Sequence, residues 1–153
     1  YMVQDKISIK KILIIIQRSN GDVFLSGSLI EQLKKNLNLE CIDLLVNDDT
    51  LLVAETLPYV NKIITFSYKQ KKQNRWLQEK KIIKSIYKKY DVSINLTASD
   101  RSVLYAIFAS KFAISAIEKN NSKSWWKIFF LKHHYISSIS LLFGIMTIIV
   151  IFV

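Results

Sequence analysis

Cysteine, proline, glycine and histidine are all scarce: 153 residues include one cysteine (Cys41), one proline (Pro58), three glycines and two histidines. A lone cysteine excludes an internal disulfide, and no Cys/His grouping has the spacing of a zinc site. A reducing compartment fits that usage better than a secreted one. So little glycine and proline excludes a collagen-like repeat or a flexible linker, and a chain that is 50% hydrophobic is not a disordered tail. Acidic residues are also in the minority, 12 against 22 Lys and Arg, for a net charge of +10. Such a surface favours anionic partners: nucleic acid, phosphorylated sugars or an anionic membrane face. Nucleic acid rests on charge alone and is the least favoured of the three.

Charge is missing altogether from one stretch. Tyr135 to Val153 is nineteen residues without a charge, thirteen of them Ile, Leu, Val, Phe or Met. As a helix it would cover roughly 28 Å, close to the hydrocarbon thickness of a bilayer. The segment before it carries Lys123, Lys127 and Lys132 with Trp125 and Trp126, a composition suited to a membrane interface. A C-terminal anchor is one reading; a buried element lacking its partner and a reading-frame artefact are the others. No N-terminal signal peptide is expected, because residues 3–11 are mixed polar and the apolar run Ile12 to Ile16 is short.

The rest of the chain alternates strand and helix. Lys10 to Arg18 is an isoleucine-rich run without alternation, the pattern of a strand buried on both faces. After the turn Ser19-Asn20-Gly21-Asp22, Val23 to Asn38 places Val23, Leu29, Ile30, Leu33 and Leu37 on one helical stripe. Glu40 to Val46, Asn61 to Phe66, Asp91 to Leu96 and Lys111 to Ile117 read as further strands. Thr50 to Thr56, Asn74 to Tyr90 and Asp100 to Ala109 read as helices, the long one carrying Trp76, Ile83, Ile86 and Tyr90 inward. Five strands joined by helical crossovers predict an α/β, Rossmann-like doubly wound parallel sheet. The domain spans residues 10–134, with an extension at 1–9 and the hydrophobic tail at 135–153.

Ligands of such sheets bind beyond the carboxyl ends of the strands, which singles out the turns Arg18 to Asp22 and Thr97 to Arg101. Neither G-x-G-x-x-G nor a P-loop is present, so a dinucleotide or nucleoside triphosphate site is a poor fit. Gly21 suits a sharp turn with φ > 0. Asp22 then reads either as an N-cap, accepting a backbone N–H from Phe24 or Leu25, or as a general base facing the crevice. The turn Ser99-Asp100-Arg101-Ser102 reads either as a capped helix start or as an anion site using Arg101 and free N–H groups. The lysine-rich third crossover reads as a solvated helix face. His133 and His134 have no nearby carboxylate and are poor candidates for metal or catalysis.

The strings KILIIIQRSNGDVFLSGSLIEQLKKNL, CIDLLVNDD, LPYVNKIITF and YDVSINLTASDRSVLYAIFASKFAISAI occur in this order. In order and spacing they resemble the N-terminal half of glycosyltransferase family 9, the ADP-heptose:lipopolysaccharide heptosyltransferases. The segment KSWWKIFFLKHH is similar to the Trp-rich stretch of heptosyltransferase III-like members. The resemblance implies the acceptor-side domain of a GT-B fold and an inverting enzyme that needs no bound metal and no cofactor beyond its ADP-heptose donor. It maps the proposed base onto Asp22 and an acceptor-binding set onto Arg18, Ser19, Asn20, Gly21, Asp100 and Arg101. It implies lipopolysaccharide core as acceptor and a cytoplasmic place, peripheral to or tail-anchored at the inner membrane. The family continues into a donor-binding domain where this chain runs into its tail. The expectation is therefore a truncated heptosyltransferase, inactive alone, with a non-catalytic membrane-anchored module for phosphorylated saccharide or lipid as the alternative.

Overall fold

The computed structural model describes residues 9–97, 99–117 and 133–136. The first strand, β1, is Lys11–Ile16, and every residue from Ile12 to Ile16 is 0% exposed. Ile12, Ile14 and Ile16 point into one core and Leu13 and Ile15 into the other, so the absence of alternation reflects burial on both faces. Each such side chain stabilises the fold by about 1.5–3 kcal/mol relative to exposure.

The other elements follow in chain order. Helix α1 is Asn20–Asn36, β2 is Cys41–Asn47, and a 3-10 turn at Asp48–Thr50 leads into the short helix α2, Leu51–Glu55. Then come β3 (Lys62–Phe66), α3 (Tyr68–Ile86), β4 (Val92–Asn95), α4 (Asp100–Ala109), β5 (Phe112–Ile117) and β6 (His133–Ile136). The sheet is parallel throughout, in the order β3-β2-β1-β4-β5-β6. Helices α1 and α2 cover one face; α3 and α4 cover the other. This is the doubly wound, Rossmann-like α/β fold, with its switch point between β1 and β4. Among the described residues no helix is long and apolar enough to cross a membrane, and residues 137–153 lie outside them.

Three local expectations are corrected. Helix α3 begins at Tyr68 rather than Asn74, because the Ser67 hydroxyl accepts the Gln70 N–H and caps an earlier start. Asn74 sits at a kink with non-helical φ −152° and ψ 76°. Beyond it the inward stripe is Gln78, Ile82 and Ile86, which leaves Trp76 on the outside at 81% exposure. Finally, β6 adds a sixth strand across residues 133–136, its register set by pairing with β5. Its two histidines and its place at the start of the apolar tail hide it from a periodicity reading.

At the amino ends of the strands, Asp91 ties β1 to β4: its carboxylate accepts the backbone N–H groups of Lys10 and Lys11 at 2.9 and 3.0 Å. Nearby, Tyr90 donates its hydroxyl to Oδ2 of the buried Asp43 at 2.6 Å, and Asp43 Oδ1 has no hydrogen-bond partner. Burial first, and then the Asp43 carboxylate, push the Tyr90 phenol well above its usual range, so it remains a donor. Removing that donor leaves a carboxylate in the core with neither oxygen satisfied. Tyr90→Phe is expected to destabilise the fold by about 1–3 kcal/mol, measured by urea unfolding. Adding Asp43→Asn should restore part of that loss, because a neutral amide is cheaper to bury unpaired.

Candidate active site

Two hydrogen bonds hold the turns after β1 and β4 together. Leu96 N–H donates to the Ile15 carbonyl at 2.9 Å, and Gln17 N–H donates to Thr97 Oγ1 at 2.8 Å. Below them Asn95, at the end of β4, is fully buried and spends its whole amide on this junction. Its Nδ2 donates to Ser102 Oγ at 3.0 Å and Ser115 Oγ at 2.9 Å, and its Oδ1 accepts Thr97 N–H at 2.9 Å. The Ser99 hydroxyl caps α4 by accepting Ser102 N–H. The sequence singles out the Thr97 to Arg101 turn and reads Ser99 to Ser102 as a capped helix start, which the Ser99 cap bears out, but Asn95 was not in the sequence-derived set. The available signal was a polar Asn inside the otherwise apolar run Val92 to Leu96.

On the β1 side, Ser19 is the N-cap residue of α1 and Asp22 lies three positions later. The Asp22 carboxylate bonds neither Phe24 nor Leu25. Its Oδ2 accepts Arg18 Nε at 2.9 Å and Ser19 Oγ at 3.1 Å. This is the acidic arm of a capping box reaching back to its first residue, and the helix dipole favours the same charge. Gly21 is helical, since no glycine described has positive φ, so the left-handed turn expected there is absent. Nothing lies within 4 Å of where a Gly21 side chain would stand, which keeps the backbone open on the crevice side. Asn20 and Gly21 are exposed, while Arg18 and Asp22 are partly buried.

The sequence-derived set is thus only partly brought together. Arg18, Ser19, Asn20, Gly21 and Asp22 form one cluster at the mouth of α1. Asp100 is exposed in the first turn of α4, facing the same end of the sheet. Arg101 is drawn off: its Nε pairs with Glu79 at 3.1 Å and its guanidinium stacks on the Phe66 ring at 4.4 Å. Tyr105 donates its hydroxyl to the same Glu79 carboxylate, fastening α4 to α3. Among the described residues no three His, Cys, Asp or Glu side chains gather where they could hold a metal ion. Cavities of about 460 to 500 Å³ lie along β3, at the amino ends of β4 and β5, and on α3, away from Asp22.

Electrostatically, Asp22 is the feature of the cluster. Burial by itself would raise its carboxyl, but the hydrogen bond and charge of Arg18, with Ser19, outweigh it and hold the group below its ordinary 3.8. A carboxyl depressed in the folded state stabilises the fold above its unfolded value, and that contribution is lost as pH falls through the folded one. Arg18→Ala is therefore expected to move the Asp22 titration upward, read by carbon NMR of the carboxyl. It should also shrink the stability gained between about pH 3 and 5. Gly21→Ala should fold at least as well as the parent, gaining up to about 1 kcal/mol in thermal or urea unfolding, because Ala is the better helix former.

Several solved structures share this fold. A glycosyl transferase family 9 structure from Veillonella parvula aligns at TM-score 0.69 and 19% identity, over 85% of this chain and 36% of its own. E. coli heptosyltransferase WaaC with ADP-2-deoxy-2-fluoro heptose aligns at TM-score 0.71 and 12% identity, over 91% of this chain and 47% of its own. E. coli ADP-heptose lps heptosyltransferase II aligns at 0.60 and 21% identity, over 82% and 34%. The chain thus spans a third to a half of the length of these proteins, and at such identities the likeness is one of fold. No curated protein matches the chain. A family model does, that of the Herpesvirus glycoprotein H main domain, over residues 45–138. That window opens inside β2 and leaves out β1 and the Asp22 turn. It overturns the expected membership of glycosyltransferase family 9, since the family model that matches is a different one. By that model, matched over more than half its length, the chain belongs to the Herpesvirus glycoprotein H main domain family, while its fold is glycosyltransferase-like.

Proposed function

We propose that this chain is the acceptor-side half of a glycosyltransferase that moves heptose from ADP-heptose to a phosphorylated lipopolysaccharide core at the cytoplasmic face of a membrane. The observation that carries this reading is the Asp22 carboxylate at the switch point, held ionised by Arg18 at the mouth of α1. The structural likeness to E. coli heptosyltransferase WaaC with ADP and with ADP-2-deoxy-2-fluoro heptose supports it at the level of fold. The family-model window takes in the β4 turn but excludes the Asp22 turn, so that match does not bear on Asp22.

The chemistry follows from the groups present. An acceptor hydroxyl attacks the anomeric carbon of the sugar nucleotide as the bond to the ADP oxygen breaks, and the hydroxyl proton goes to a base. Asp22 is the base in this reading. Its two side-chain contacts, from Arg18 and Ser19, both fall on Oδ2. A depressed carboxyl is ionised at every physiological pH but is a weak base. The hydroxyl must therefore become acidic as its bond to carbon forms before the transfer is favourable. Only Nε of Arg18 is committed to Asp22, and the rest of its guanidinium can pair with an acceptor phosphate. A phosphate drawing Arg18 away would raise Asp22 and strengthen it as a base. The donor is held by a second lobe in this reading.

The test joins a donor-binding lobe after Ile136, because β6 belongs to the sheet, and compares Asp22 with Asp22→Asn. Asn at this position keeps a hydrogen-bond acceptor but cannot take a proton, so kcat should fall by about 10²–10⁴-fold while the fold and KM change little. Turnover within a few-fold of the parent would leave Asp22 as a closing contact of α1 and sink the mechanism.

A further inference from the structure

Helix α3 carries two stripes. The inner one, Gln78, Ile82 and Ile86, is buried. The outer one is Trp76, Lys80 and Lys84, spaced by fours and therefore on one side of the helix, with Ile83 beside them partly buried against the core and Tyr87 exposed as the C-cap residue just past its end. Trp76 is 81% and Tyr87 50% exposed, although an inward-turned helix needs neither there. Tyr87 continues the seam to Phe108 of α4, its ring centroid 6.3 Å away, and that residue is itself partly exposed. Lys80, Ile83, Lys84 and Tyr87 line a shallow depression of about 500 Å³. Between residues 68 and 89 there are nine lysines and arginines and one acid, Glu79, which is occupied by Arg101 and Tyr105.

We propose that the outer face of α3 and its C-cap, centred on Trp76, Lys80, Lys84 and Tyr87, docks this domain on a bilayer bearing anionic headgroups. Charge chooses the occupant. The uncharged tail Tyr135 to Val153 could cover the apolar seam but offers nothing to the lysines beside it. A bilayer interface meets both demands: aromatic and aliphatic groups enter the headgroup boundary while lysine stems lie along them with their ammonium groups at the phosphates. A nucleic acid would satisfy the charge but leave the apolar floor of the depression, which Ile83 helps to line, without an apolar partner. For its biological setting this rests on the membrane-face part of the function proposed above, but it makes no use of Asp22.

The experiment uses the full chain and vesicle co-sedimentation. Vesicles of phosphatidylcholine alone are compared with vesicles holding about 30 mol% phosphatidylglycerol, an anionic content sufficient to attract a basic surface. Binding is expected on the anionic vesicles and should weaken as salt rises from about 0.05 to 0.5 M. The pair Lys80→Glu with Lys84→Glu should lower it at least about tenfold, since each cation near the surface contributes several-fold. Trp76→Ala should lower it about three-fold or more, by removing the largest apolar group of the seam. All three side chains are outside the core, so circular dichroism should be unchanged. Asp22→Asn should bind like the parent whichever way its chemistry comes out. Equal binding to neutral vesicles, insensitive to salt and to these substitutions, would assign docking to the tail and overturn the proposal. Tighter binding to a single-stranded RNA than to anionic vesicles, lost in the same variants, would overturn it in favour of nucleic acid.

Discussion

Everything in this domain is organised by one strand that has no wet side. Ile12 to Ile16 must be covered above and below, and a strand covered on both faces requires helices on both sides of its sheet. Parallel neighbours supply those helices as crossovers, α1 between β1 and β2 on one face and α3 and α4 on the other. Winding outward in both directions from β1 then produces a switch point between β1 and β4. The crevice at that point is a by-product of covering isoleucines.

The crevice is built with a buried polar network on the β4 side and a partly exposed ion pair on the β1 side. Asn95 finds a partner for each of its contacts among Thr97, Ser102 and Ser115, which fixes the height of the second turn against the first. Arg18 and Asp22 are instead a partly exposed ion pair, joined through Nε and Oδ2 alone. A fully satisfied network rigidifies, whereas a loose pair can be exchanged for contacts to an incoming anion. That division of labour is what a site needs if binding and proton uptake are to be linked. It also explains why Arg101, though adjacent in space to the second turn, is the weaker partner: Glu79 and Phe66 already use its charge and its plane.

Sequence family and fold give different answers here. The glycosyltransferase likeness is carried by strand order and helix placement, which low-identity chains share because the same burial problem has the same solution. The family match begins at residue 45 and so cannot see the βα unit on which the site stands. Function on such a sheet belongs to the turns rather than to the layers, which is why the reading rests on Asp22 and Arg18 and not on the architecture.

The sequence by itself determined the first five strands, their parallel arrangement and the two turns at the switch point, because burial on two faces writes itself into composition as runs without alternation. It also determined where α4 begins, since Ser99 is a local cap that needs no distant partner; α1 instead starts at Asn20, ahead of the Val23 that periodicity marks. What only the tertiary structure decided was the direction and partnership of side chains. Trp76 fell outward because a kink at Asn74 reset the helix around Gln78, whose amide is needed by the Ser67 backbone. Gly21 kept a helical φ because Ser19 starts the helix before it. Arg101 went to Glu79, twenty-two positions away in sequence. Such choices depend on which charges and rings the folded chain brings within a few ångströms, and periodicity carries no record of that distance.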